Sequence, residues 1–187
     1  MCQECAKRNR PLGTYTSSFE RSLEMIRDLV ASVDYANEGK MDFTLFNREI
    51  DVFIEDADDL EYAQRCSERL QAMSPTIIEK LCEYSIAYCE EFRVYFQDEQ
   101  IDIPEGVTSR EILEFIEPSA LMIESPEDPT IIVIHLELNC LWEPEHGMEW
   151  IVRDDEVLYV GSFVGEDPWE SIEHFQNGDG RSYVVFE

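Results

Sequence analysis

Residues 130–142, Thr-Ile-Ile-Val-Ile-His-Leu-Glu-Leu-Asn-Cys-Leu-Trp, constrain this chain more than any other stretch. Ile132, Ile134, Leu136, Leu138 and Cys140 fall at every second position, with His135, Glu137 and Asn139 between them. Side chains of a strand alternate between faces, so this period makes a strand with one buried face and one wetter face. Such a strand needs hydrogen-bonded neighbours and an apolar layer over its inner face. Its surroundings supply both. Met148–Arg153 and Val157–Phe163 read as strands joined at Asp154-Asp155. Ala120–Glu124 reads as a strand before them, and Tyr183–Phe186 as a last one. The intervening Ser125-Pro126-Glu127-Asp128-Pro129 is a turn, and Asp167-Pro168-Trp169 is another, leading into a short helix through Ile172 and Phe175.

The covering layer is expected upstream. Ser17-Ser18-Phe19-Glu20 has the capping-box form, and Phe19, Leu23, Ile26, Leu29, Val30 and Val33 follow at helical spacing until Gly39. This predicts an amphipathic helix of about 18 residues. Phe43–Ile54 alternates as two short strands bending at Asn47-Arg48, or as a single longer strand. Asp56 and Asp58 offer N-caps to a helix carrying Leu60, Ala63, Cys66, Leu70 and Met73. Ser74-Pro75 starts a second helix running to about Phe96. Thr108-Ser109-Arg110-Glu111 is another capping box, opening a short helix that Pro118 ends. The expected fold is α+β, with N-terminal helices packed on a mostly antiparallel C-terminal β-meander. Residues 1–16 read as a flexible arm and 17–187 as one domain, helix-rich over 17–117 and sheet-rich over 118–187. A chain of 187 residues suits one domain, which buries roughly 70% of its unfolded surface without help from metal or disulfide.

Charge narrows the function. There are 42 acids against 14 bases, a formal net charge of -28. Residues 1–30 hold five bases and four acids, so the other 157 residues carry 38 acids and nine bases. Such a body repels nucleic acid and anionic lipid, whose phosphates need clustered Lys and Arg. It attracts basic proteins, so a basic protein partner is expected and neither nucleic acid nor membrane is. A homo-oligomer that sets the basic N-terminal segment against its own acidic body is a further expectation. Cys2, Cys5, Cys66, Cys82, Cys89 and Cys140 come without an apolar signal segment, and the last four sit in helix or strand patterns. Buried free cysteine in a cytoplasmic protein is the expectation.

The residues Cys140-Leu141-Trp142-Glu143-Pro144-Glu145-His146-Gly147 put a thiol, carboxylates and an imidazole in one short stretch. His135, Glu145 and His146 could ligate a metal, or Glu145 could orient His146 as a general base in a metal-dependent or hydrolytic enzyme. Against this, the chain has three histidines and neither an HExxH helix nor a GxSxG elbow. Pro144 and Gly147 are turn residues, with Trp142 and Trp150 on either side. A hairpin is therefore expected, in which Trp142, Glu143, Glu145, His146 and Trp150, together with Trp169, act in interaction or structure. No catalytic residue and no cofactor is implied.

The Cys140-x-Trp142-x-x-Glu145-His146-Gly147 turn, followed by Val152-Arg153-Asp154-Asp155-Glu156-Val157 and Val160-Gly161, resembles uncharacterised bacterial domains with a similar turn in a β-meander. The resemblance covers about residues 130 to 169 well and the preceding helices loosely, with the long N-terminal helix and arm a departure from it. These domains are similar to suspected immunity proteins of bacterial toxin systems. The resemblance implies a non-enzymatic interaction protein and identifies no catalytic residue. An acidic inhibitor of a basic toxin gains association rate from opposite charge.

Overall fold

The computed structural model describes residues 25–95, 106–178 and 182–186. Seven strands form one sheet in sequence order: β1 (Arg27–Ala31), β2 (Asn37–Phe43), β3 (Arg48–Ile54), β4 (Ile116–Ile123), β5 (Val133–Cys140), β6 (Glu143–Arg153) and β7 (Glu156–Ser162). Every neighbouring pair is antiparallel except β3 and β4, which run parallel through Asp51↔Ala120 to Ile54↔Ile123. A parallel pair needs a long crossover. Here the crossover contains α1 (Leu60–Gln71) and α2 (Pro75–Tyr95), followed by a 3₁₀ segment, Ser109–Phe115. The protein is mixed α+β.

The expected order of the layers is corrected. Strands occupy residues 27–54, inside the span read as helix-rich, and the helices sit between β3 and β4. Residues 17–24 of the expected first helix, and the arm of residues 1–16, lie outside the described residues. The described remainder of that helix is β1, a bend over residues 32–36 and the start of β2. Among the described residues of its apolar stripe Ile26 is buried, while Leu29, Val30 and Val33 are 39%, 59% and 101% exposed. Helical spacing was present, but no core face stood behind it. Gly39 stops no helix. It lies in β2, where an added Cβ would sit 2.7 Å from Ile26 Cγ2 and 3.0 Å from the Arg27 carbonyl oxygen. Glycine is what allows β1 to close on β2.

Local signals elsewhere do what their chemistry suggests. The Asp56 carboxylate accepts from Asp58 N at 2.9 Å, capping a 3₁₀ turn that leads into α1. Ser74 Oγ accepts from Ile77 N at 3.3 Å at the start of α2. The Thr108–Glu111 capping box forms, with Thr108 N donating to Glu111 Oε2 at 3.1 Å, but it opens 3₁₀ rather than α-helix. Pro118 ends no helix; it lies within β4 beside a register shift, where a missing N–H is tolerated. The expected strand at 183–186 is reduced to a bridge between Gly161 and Ser182.

The helices cover one face of the sheet. Met41, Phe43, Ile50, Val52, Ile54, Leu121, Ile134, Leu136, Leu138, Met148 and Trp150 meet Ala63, Cys66, Leu70, Leu81, Cys82 and Tyr88 in one core. Trp150 is fully buried and its indole N–H donates to Ser85 Oγ of α2 at 3.1 Å. Cys66, Cys82, Cys89 and Cys140 are free and buried, and burial pushes their thiols up, Cys140 to about 12. On the opposite face α3 (Ile172–Gln176) brings Phe175 onto Ile151, Leu158 and Tyr159.

Because the Gly39 site is tight against backbone, Gly39→Ala should destabilise the protein by about 1–3 kcal/mol. Urea unfolding should show this, and hydrogen exchange should show β1 amides losing protection before the rest of the sheet. Unchanged stability would mean that β1 does not pack on Gly39.

Candidate functional site

Residues 140–147 do form a hairpin, but its turn is Leu141-Trp142 rather than Pro144–Gly147. Cys140 pairs with Glu143, yet two residues back Leu138 already pairs with Met148. The extra residues of β6 swell outward as a bulge carrying Pro144, Glu145 and His146. Gly147 closes it at φ +75°, where an added Cβ would sit 2.5 Å from the Leu138 carbonyl oxygen. Only glycine meets both demands.

The bulge is held by Glu143 and not by Glu145. The Glu143 carboxylate accepts from His146 N at 2.8 Å and faces His146 Nδ1 at 3.0 Å. Glu143 is buried while the His146 side chain is 66% exposed. Glu145 is exposed and points to no partner among the described residues. Trp142 and Trp150 are core residues, 1% and 0% exposed, so neither is offered to a partner. Tyr88 of α2 meets the Trp142 ring edge to face at 5.9 Å. Trp169 is half-buried against the same core.

His135 does not join this group. It pairs with Ile151 in the middle of the sheet, and His146 lies in the bulge beyond Leu138. His135, Glu145 and His146 are therefore not brought together as ligands. Among the described residues no group of three or more His, Cys, Asp or Glu is placed to hold a metal ion. His135 was expected on a wetter face but is 3% exposed. Its Nδ1 lies 2.6 Å from Glu124 Oε1 and its Nε2 lies 2.9 Å from Glu149 Oε2. Carboxylates only accept, so both contacts are hydrogen bonds when the ring carries both protons as imidazolium. Burial opposes that charge, but the bonds to Glu124 and Glu149 outweigh it and raise the His135 pKa to about 9. Glu149 is fully buried, and its other oxygen accepts from Val164 N at 3.2 Å and Glu166 N at 3.3 Å. The cluster thus pins the chain after β7 across the sheet face opposite α1 and α2. Reading along the chain missed Glu124 and Glu149. The available signal was Glu149 standing between Met148 and Trp150 in a strand whose two faces are both covered.

A second feature lies at the same end of the sheet as the bulge. A cavity of about 380 Å³ opens between the 3₁₀ segment, the start of β3 and the β5–β6 turn. Its walls include Phe115, Leu141 and Pro144, with Arg48, Glu114 and Glu117 among them.

Residues 25–167 match the family described as Domain of unknown function (DUF6985), and the chain belongs to that family. No curated protein and no solved structure matches it. No helix among the described residues is long and apolar enough to cross a membrane.

The buried cluster has a pH signature. A folded pKa of about 9 against an ordinary 6.5 means its stabilisation is complete below pH 6.5 and is lost as pH rises through 9. That loss is on the order of 3 kcal/mol. Denaturant titrations from pH 6 to 10 should show stability falling across this window, and His135→Gln should lower stability at pH 6 and flatten the fall. An equally steep fall in the variant would remove His135 as its cause. Separately, Gly147→Ala should cost about 2–4 kcal/mol, since it meets both a strained φ and the Leu138 carbonyl. A calorimetric Tm within a degree of wild type would show that the bulge relaxes freely.

Proposed function

We propose that this chain is an acidic binding protein that captures a basic protein, and that it is an immunity-type inhibitor of a basic toxin. The carrying observation is the disposition of its charges. The described residues hold 33 Asp and Glu against nine Lys and Arg. Most of those bases are already committed inside the molecule. Arg27 reaches Asp42 and Glu49 at 3.0 Å, Lys40 reaches Asp51 at 2.8 Å, and Arg48 reaches Glu117 at 2.6 Å. Arg69 pairs with Asp155, and Arg93 lies 3.6 Å from Glu90. Arg65 donates to the Pro129 carbonyl, and Arg153 to those of Pro168 and Glu170. All three histidines also face a glutamate. What remains facing solvent is mostly acidic: Glu79 and Glu83 along α2, and Glu114, Glu127, Glu145 and Glu156 in the connections and the bulge, against exposed Lys80 and Arg110. A field of one sign steers a basic partner into encounter and rejects anionic ones.

The resemblance of the Cys140–Gly147 hairpin to suspected immunity proteins supports the inhibitor half of the reading. So does the use of the site residues, since Trp142, Trp150, Glu143 and His135 are all occupied in holding the fold. A cytoplasmic place of action agrees with four buried free cysteines.

Affinity capture on the immobilised full chain tests the proposal. A basic protein should be retained at about 50 mM salt and released at about 500 mM, because screening shortens to a few ångströms over that range. The purified partner should bind at one-to-one stoichiometry and lose its toxicity when the two are co-expressed. Retention of only neutral or acidic proteins, or a basic partner whose toxicity persists in the complex, would sink the inhibitor reading.

A further inference from the structure

The cavity beside the hairpin carries an inference that rests on the proposed basic partner and specifies how it is recognised. Its two main walls are tied together by backbone, with Leu141 N donating to the Phe115 carbonyl at 3.1 Å. The site is therefore preformed rather than assembled on contact. Its volume of about 380 Å³ lies within the range of pockets that take a ligand or a long side chain. Part of the rim is apolar: Phe115 is half-buried, Pro144 is exposed, and Leu141 is 57% exposed, an unusual position for leucine at a tight turn. The polar side chains are two carboxylates, one guanidinium and the Asn139 amide. Arg48 is matched by Glu117 at 2.6 Å, and Glu114 makes no ion pair or hydrogen bond among the described residues. The local balance is one uncompensated negative charge in a frame of mixed polar and apolar groups.

We propose that this cavity seats an arginine side chain of the basic partner. The aliphatic stem lies against Leu141 and Pro144, the planar guanidinium stacks on Phe115, and its N–H fork donates to Glu114 and to the free oxygen of Glu117. Arginine fits better than lysine because a planar, weakly hydrated cation both stacks on an aromatic ring and binds carboxylates through two parallel donors. An anion would meet Glu114 uncompensated, with the one cation present already paired.

The test uses the full chain and a monovalent probe, N-acetyl-arginine methylamide, followed by amide chemical shifts in about 150 mM salt. Saturable shifts should cluster at Phe115, Asn139 and Leu141 with roughly millimolar affinity, as expected for so small a ligand. Glu114→Gln should weaken binding about fivefold while leaving the rest of the spectrum in place. The neutral citrulline analogue should not bind. Equal binding of citrulline, equal binding of the lysine analogue, shifts scattered over the acidic surface, or preference for N-acetyl-glutamate methylamide would each overturn the assignment. Failure here separates cleanly from failure of the partner reading. A captured basic protein that binds wild type and Glu114→Gln equally removes the cavity and leaves the partner. A chain that binds the arginine probe in the cavity and captures no basic protein removes the partner.

Discussion

The rest of the structure depends on the parallel contact between β3 and β4. Four register pairs, Asp51–Ile54 with Ala120–Ile123, join an N-terminal antiparallel group to a C-terminal meander. Because parallel neighbours cannot be linked by a tight turn, the chain must travel out and back between them. α1 and α2 lie in that excursion, so the helices are delivered onto one sheet face by the topology itself. Their apolar sides then find the inward residues of β2–β7, with Ser85 accepting from the Trp150 indole and Tyr62 Oη accepting from Val133 N as polar contacts in that layer. Glu55 N donating to the Ile123 carbonyl at 3.0 Å extends the seam past the end of β3.

A sheet covered on one face leaves its other face to be dealt with, and here acidity decides how. At the β6–β7 end Phe175 supplies an apolar cover. In the middle, a carboxylate of β6 is covered by the chain that follows β7, and it is tolerable there because His135 donates from one side and two backbone N–H groups from the other. An uncompensated Glu149 would be costly in that position, which is why the imidazole stays charged to about pH 9. Across β2 and β3 the same face stays open and wet, with Arg27, Lys40, Asp42, Glu49 and Asp51 laced into a charged ladder and Tyr35 stacked on Phe53 at 4.7 Å. Basic residues are thus spent as internal compensation, and the surplus acid is what the surroundings meet.

Much of this was legible from residue order alone. The alternation of Ile134, Leu136, Leu138 and Cys140 identified β5 and its buried face, the Asp154-Asp155 turn placed β6 and β7, and Ser74-Pro75 marked the start of α2. Two kinds of information were not local. Ile26, Leu29, Val30 and Val33 satisfy helical spacing, and only the proximity of Gly39 shows that the segment is an edge strand. Pro144 and Gly147 have turn chemistry, yet they serve a bulge because the register of Leu138 with Met148 is set by core packing further along. The expected Glu145–His146 pairing is not seen, for the same reason. Neighbours in sequence, Glu145 and His146, do not interact as a pair, whereas His135 finds Glu124 and Glu149, eleven and fourteen residues away, through strand pairing. Charge totals were visible at once, but which bases remain free to meet a partner depends on the contacts they make.

In the proposed function two parts of the molecule have separate roles: the acidic exterior would accelerate encounter with a basic protein, and the cavity beside the hairpin would hold one of its arginines. Stopped-flow kinetics of the purified pair across ionic strength separates the two roles. The account predicts that the association rate constant falls at least tenfold between about 20 and 500 mM salt while the dissociation rate constant changes little. An association rate indifferent to salt, with the whole effect in dissociation, would contradict it.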